Sequence, residues 1–163
     1  MTELCGQCGL CCNGGLFADV RLRSAVTAWK LRQLGFPASR HGKTWRLPQP
    51  CPAFDGRWCR CYADRPGRCR AFECRLLLNV RSGELSPAQA LQRIRQARRL
   101  MAAVERRLRQ LGATETAQPL SQRYQAMLAQ PWDFSQSAAA VRCRNHLWSA
   151  CQKLEEFLAH EFR

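Results

Sequence analysis

The segment CGQCGLCC, residues 5–12, sets Cys5, Cys8, Cys11 and Cys12 in the pattern C-x-x-C-x-x-C-C. A C-x-x-C turn presents two sulfurs to one metal and leaves the intervening amides free to donate hydrogen bonds to them. Two such turns overlap here, so three thiols converge from one short stretch. Zinc takes four thiolates in a tetrahedron. Three closely spaced cysteines plus a distant one also hold a [4Fe–4S] cube, whose distant ligand is followed by proline. The distant candidates are Cys51, which precedes Pro52, and Cys59, Cys69 and Cys74, all within CPAFDGRWCRCYADRPGRCRAFEC. Thiolates accept zinc, iron–sulfur clusters and copper(I) alike, so ligand type leaves the metal open.

The adjacent pair carries more information. Neighbouring side chains of an extended segment point to opposite sides, so Cys12 is expected to face away from the site that Cys11 serves. Three roles fit: ligand of a second centre, bridge between two metals, or free reactive thiol. Cys61 forms Cys-x-Cys with Cys59. On a strand the two would share a face, which makes Cys61 either a further ligand or a spare buried thiol. Cys143 and Cys151 read as core positions of a helix, His41 as a surface loop residue, and His146 and His160 as ordinary helix residues. Glu155 and Glu156 are adjacent on that helix and diverge, so they do not form a paired-carboxylate site. No catalytic residue is assigned.

The joint pattern resembles the CxxCxxCC family, a group of cysteine-cluster proteins described as zinc- or iron-chelating. The resemblance rests on CGQCGLCC, Cys51-Pro52, Cys59-Arg60-Cys61-Tyr62, Arg65-Pro66-Gly67-Arg68-Cys69 and Cys74, and covers about residues 5–80. It implies eight metal-ligating cysteines: Cys5, Cys8, Cys11, Cys12, Cys51, Cys59, Cys69 and Cys74. Cys61 is extra to that pattern. Tyr62, Arg65 and Pro66 match it and read as structural, with Tyr62 packing and Arg65 donating to thiolates or a carbonyl. A related block occurs in bacterial flagellin lysine methylases, which implies that such a scaffold can carry an iron–sulfur centre linked to methyl transfer. No glycine-rich adenosyl-binding loop after a clear strand supports a methylase here.

Nine of the 11 cysteines fall within residues 5–74. The N-terminus has no basic region followed by an apolar run, so it does not read as a secretory signal. No stretch approaches 18 consecutive apolar residues. The expected compartment is the cytoplasm, where structural disulfides are rare and an odd number of clustered thiols points to metal. The net charge of +14 is almost all arginine. It suits an anionic partner such as nucleic acid, but aromatics are not interleaved with the basic residues as RNA-binding signatures require. An arginine-rich bias, partly offset by thiolates, is the simpler reading.

The elements that must position these thiols read as follows. Asn13-Gly14-Gly15 is a turn, LFADVRL a short strand, and Ser24 the N-cap of a helix that stops at Gly35. Val26, Trp29 and Leu34 are expected to form its buried stripe. Residues 38–50 read as a loop with one extended piece at TWRL, and the second cysteine block as turns and short strands. RLLLNV is helical to about Ser82-Gly83. Ser86-Pro87-Ala88-Gln89 is a capping-box pattern. From it Leu91, Ile94, Ala97, Met101, Val104, Leu108 and Leu111 mark an amphipathic helix ending at Gly112. Its other face is basic, with Arg93, Arg95, Arg98, Arg99, Arg106, Arg107 and Arg109. A short helix is expected between Pro119 and Pro131, and a last one from Ser137 to Phe162 with Leu147, Cys151, Leu154, Phe157 or Leu158, and Phe162 inward.

The sequence thus predicts an α+β, mainly α chain. Residues 1–83 form an irregular cysteine-cluster unit and residues 84–163 a helical extension packed on it. The expected function is cytosolic binding of zinc or an iron–sulfur centre. The alternatives are an iron–sulfur enzyme or redox protein with Cys12 as reactive thiol, and a nucleic-acid-associated protein using the arginine-rich helix. Structural zinc supplies on the order of 10–16 kcal/mol of apparent binding energy, ample to order a turn-rich segment. Chelation is therefore expected to unfold the N-terminal half, seen as lost circular dichroism and a lower melting temperature.

Overall fold

The computed structural model describes residues 2–56, 58–63, 65–131 and 137–163. The described elements are α1 (Thr2–Cys8), β1 (Asp19–Leu22), α2 (Ala25–Gln33), β2 (Ser39–His41), β3 (Thr44–Pro48), α3 (Gly67–Ala71), α4 (Arg75–Arg81), α5 (Pro87–Gln110), α6 (Leu120–Ala129) and α7 (Ala138–Glu161). The fold is α+β and mainly helical, with a three-stranded antiparallel sheet in the order β1-β3-β2.

The two long helices form the principal core. The Ser86 hydroxyl accepts from the Gln89 amide and the Gln89 side chain accepts from the Ser86 amide, so the capping box closes as the pattern predicts. Ala90, Ile94, Ala97, Met101, Val104 and Leu108 line the inner face of α5. They meet Leu147, Cys151, Leu154 and Leu158 of α7, with Leu120 and Tyr124 of α6 at the side. Phe162, just past α7, is also buried. Leu10, Leu16 and Leu76 from the cysteine-bearing segments enter the same cluster. Arg144 caps the end of α6 by donating to the Leu128 carbonyl at 2.8 Å and to that of Gln130. The Tyr124 hydroxyl donates to Glu155 at 2.7 Å, and Glu155 also pairs with Arg163.

A second, smaller cluster, Leu22, Ala28, Leu31, Ala38 and Leu47, joins α2 to the sheet. Two expectations change here. Residues 39–48 are a β-hairpin, not a loop: β2 and β3 pair around Gly42, whose φ of +57° is the left-handed geometry a two-residue turn needs. β3 then pairs with β1 as the central strand, and Arg46 meets Asp19 at 2.7 Å across the pair. The Ser24 cap and the Gly35 stop of α2 are as expected, but the helix buries Ala28 and Leu31 and leaves Val26, Trp29 and Leu34 exposed. The small residue Ala28 lets the short helix lie close to the sheet, so the bulkier side chains turn outward. The strand predicted at LFADVRL is confined to residues 19–22, and α1 and α3 replace expected turns.

Leu154→Ala in the α5–α7 interface is expected to lower stability by about 2–5 kcal/mol. Trp29→Ser on the outer face of α2 should change it by no more than about 0.5 kcal/mol. Denaturant unfolding of both variants checks the assignment of buried and exposed faces.

Candidate metal centre

α1 places Cys5 and Cys8 three residues apart, on one side of the helix. Gly9, at φ +65°, ends it. The amides of Cys12 and Asn13 both donate to the Gly9 carbonyl at 2.9 Å, so Cys11 and Cys12 lie in a turn and not in the extended segment expected. Leu10 is 0% exposed and anchors this turn in the helical core. From α5, Arg98 donates to the carbonyls of Gln7 (2.5 Å) and Cys8 (3.0 Å), placing a cation at the C-terminal end of α1.

The second block is laid over the first. The Cys51 amide donates to the Cys12 carbonyl at 2.8 Å. Phe54 bridges to Cys59, and Asp55 ties the connecting loop by accepting from the Trp58 amide at 2.7 Å. The glycines of the first block make this contact possible. A Cβ on Gly6 would lie 1.9 Å from the Trp58 ring, and one on Gly9 would lie 2.2 Å from the Phe54 ring. Cys69 sits on α3, and Cys74 is the N-cap residue of α4. Its sulfur feels the Leu77 and Leu76 amides, although it makes no hydrogen bond of capping geometry. The start of α4 is clasped to the end of α7, where Arg75 donates to the His160 carbonyl at 2.9 Å.

All nine cysteines of residues 5–74 line one cavity of about 640 Å³. Every cysteine in the chain is a free thiol. Among the described residues no three His, Cys, Asp or Glu side chains are already arranged to hold a metal ion. The thiols are gathered around a shared space, and their mutual influence falls into two overlapping groups. Burial pushes the Cys8 thiol up to about 12, against the Leu10 amide and with the help of Cys74 and Cys5. Cys11 is raised by burial and then by Cys8, Cys12, Cys74 and Cys5. Cys12 is pushed up to about 12 by burial and then by Cys51, Cys59, Cys69 and, last, Cys8. For Cys69, burial, Cys51 and Cys59 give about 11. Cys8 and Cys11 thus feel Cys5 and Cys74, and Cys12 and Cys69 feel Cys51 and Cys59, while Cys11 also feels Cys12 and Cys12 also feels Cys8.

Local dipoles and charges oppose these shifts. The Ala53 and Phe54 amides favour the Cys51 thiolate. Arg65 favours thiolates at both Cys5 and Cys69, and so serves both groups. Its guanidinium lies 3.9 Å above the Tyr62 ring, which gives both residues the structural role expected of them. The Gln49 side chain is nearly fully buried at the same cavity, and its Oε1 has no hydrogen-bond partner. Thiols held protonated at neutral pH lose their protons when a cation binds, so the donor set fits a soft or borderline metal. The His41 ring, on the hairpin, pairs with the Ser39 hydroxyl at 3.1 Å, and Cys143 and Cys151 lie on α7, away from the cavity. Arg98, Gln49, Phe54 and Trp58 were not singled out by spacing. The glycine after each of Cys5 and Cys8 was the available signal for close packing.

A cavity walled by nine thiols, within a scaffold that supplies amides and a guanidinium to them, belongs to a thiolate metal-binding protein. Residues 4–89 match the CxxCxxCC family, described as "putative zinc- or iron-chelating domain", and the chain belongs to that family. No curated protein and no solved structure matches the chain. No helix among the described residues is long and apolar enough to cross a membrane.

Gly42→Ala meets open space, so its left-handed φ alone should cost about 1–2 kcal/mol. Gly9→Ala adds the collision with Phe54 and should cost about 1–3 kcal/mol more through overpacking. Comparing the melting temperatures of the two metal-free variants isolates the contact between the cysteine blocks.

Proposed function

We propose that the chain is a cytosolic zinc- or iron-binding protein with two four-thiolate centres. Cys5, Cys8, Cys11 and Cys74 build one, and Cys12, Cys51, Cys59 and Cys69 build the other. The observation that carries this reading is the gathering of all eight patterned cysteines about one cavity, with Cys11 influenced first among the thiols by Cys8 and Cys12 first by Cys51. Four thiolates complete a tetrahedral site, and two such sets account for every patterned cysteine. Eleven free thiols suit a reducing compartment. Bound metal would supply the charge that thiolates in so buried a space lack, and the chain's own amides and Arg65 would orient the sulfurs.

An iron–sulfur centre with Cys12 left free is the second reading. It is favoured by the size of the cavity, whose walls include Leu4, Phe17, Phe36 and Phe54. An apolar wall around a cluster limits solvent access and so tunes its potential.

Protein isolated without oxygen separates the readings. The two-centre reading expects two occupied centres per chain by elemental analysis, about one ion each if the metal is zinc. Cys74→Ser should empty one centre, the Cys51→Ser/Cys69→Ser pair the other, and the triple variant both. Metal content unchanged by all three would end the two-centre reading. Brown protein containing iron and sulfide would select the cluster, and colourless protein loaded with zinc would exclude it.

A further inference from the structure

We propose that Cys61, which stands outside the eight-cysteine pattern, is a fifth thiolate donor of the Cys12, Cys51, Cys59 and Cys69 centre and takes the position of Cys12 when that thiol is absent. The inference rests on the metal-binding reading above and concerns which sulfurs share the second centre.

The Sγ atoms of Cys59 and Cys61 are 3.6 Å apart. Two thiolates bound to one zinc at about 2.3 Å, at the tetrahedral angle, stand about 3.8 Å apart. The pair is thus already set at the spacing of a chelate, with almost no further closure needed. The backbone holds it there. Tyr62 donates its amide to the Cys59 carbonyl at 3.1 Å, which closes a turn over residues 59–62. That turn replaces the strand expected from Cys-x-Cys, and it still brings both sulfurs to one side. Arg60 pins the turn to the block in front of it, its amide on the Ala53 carbonyl and its guanidinium on that of Pro52, each at 2.8 Å. Arg65 covers the Tyr62 ring on the far side.

Cys61 also lines the shared cavity. Cys12, Cys51, Cys59 and Cys69 line the same cavity; the Cys51 amide sits on the Cys12 carbonyl at 2.8 Å, and the Phe54–Cys59 bridge ties the Cys51 turn to the Cys59 turn. Cys12 and Cys61 therefore face one three-thiol set from two directions: Cys12 from the turn that follows α1, Cys61 from the turn that follows Cys59. A tetrahedral ion accepts only one of them at a time. A centre with five donors for four positions can exchange a ligand without releasing its ion. The simple alternative is a thiol–thiol hydrogen bond between two half-buried cysteines, with no part in binding.

Two measurements with zinc as the probe decide between them. In the first, Cys12→Ser is loaded and dialysed beside the wild-type chain, Cys61→Ser and Cys12→Ser/Cys61→Ser. Cys12→Ser and Cys61→Ser should each retain the wild-type content of about two ions, and the double variant should fall to about one. Loss of an ion from Cys12→Ser alone, or retention of both ions by the double variant, overturns the proposal. In the second, the wild-type chain is treated with N-ethylmaleimide and the labelled cysteines are read by mass spectrometry. Cys61 should label about twofold more slowly with zinc bound than after chelation, because it shares the fourth position of the ion with Cys12, while Cys143 labels equally in both. Equal labelling of Cys61 in both states overturns the proposal even if the Cys12 variants do not fold. A wild-type chain that takes up no zinc or iron overturns the metal-binding reading itself. Two filled centres with Cys61 indifferent overturn only this inference.

Discussion

Leu10 is buried completely while the thiols on either side of it are not. Burying such a side chain contributes about 1.5–3 kcal/mol, and it does so in the middle of CGQCGLCC. The hydrophobic core of α5 and α7 thus fixes the position of the cysteine turn before any ligand is considered. Arg98 adds a polar tie from α5 to the carbonyls just before Leu10. With the turn held, Cys8 and Cys11 lean on the core cluster, while Cys12 meets the second block through its carbonyl bond with the Cys51 amide. Without that anchor, a glycine-rich turn would have no preferred orientation.

The second block has little hydrophobic support of its own. Its regular structure is the isolated Phe54–Cys59 bridge and the five-residue α3. Its contacts are aromatic rings laid on glycines and arginines tied to carbonyls, as with Arg60 to Pro52 and Arg70 to Arg65. Burial and neighbouring thiols favour the protonated state of Cys12 and Cys69, a state that cation charge would reverse. The helical half supplies part of the cavity wall, with Ile94 of α5 beside Leu10 in its lining.

The parts of the fold legible in the sequence were those governed by local rules. Ser86 with Gln89 and Ser24 before α2 are caps that act within three residues, and each closes its expected bond; Ser137, read only as the start of the last helix, caps α7 in the same way. The stripe on α5 was legible because a long helix repeats its period several times. The short α2 offers too few turns for period to outweigh tertiary choice, and there Ala28 and Leu31 took the core in place of Val26, Trp29 and Leu34. The hairpin at 39–48 was hidden because its strands are short and polar, and β2 is exposed throughout. At the site, the cysteines that line the cavity could be read from spacing and family pattern. The return of α3 and α4 over the first block could not. Nor could the role of Arg98, which lies 90 residues from the carbonyl of Cys8 that it binds.

The arginine surplus invites a different account from the one suggested by net charge. Several arginines are spent on backbone carbonyls left without partners at the ends of short elements: Arg98 at α1, Arg75 at the end of α7, Arg144 at α6, and Arg60 and Arg70 in the irregular block. A planar guanidinium with five donors is suited to this, since it can reach two carbonyls at once where a lysine offers a point charge. Others are drawn into ion pairs, Arg93 with Glu161 and Arg163 with Glu155, and Arg65 lends its field to thiolates in both groups. A chain assembled from turns and short helices around a set of ionisable sulfurs needs many long-range donors and a positive potential near those sulfurs. Arginine supplies both, so these side chains have a structural use within the chain itself.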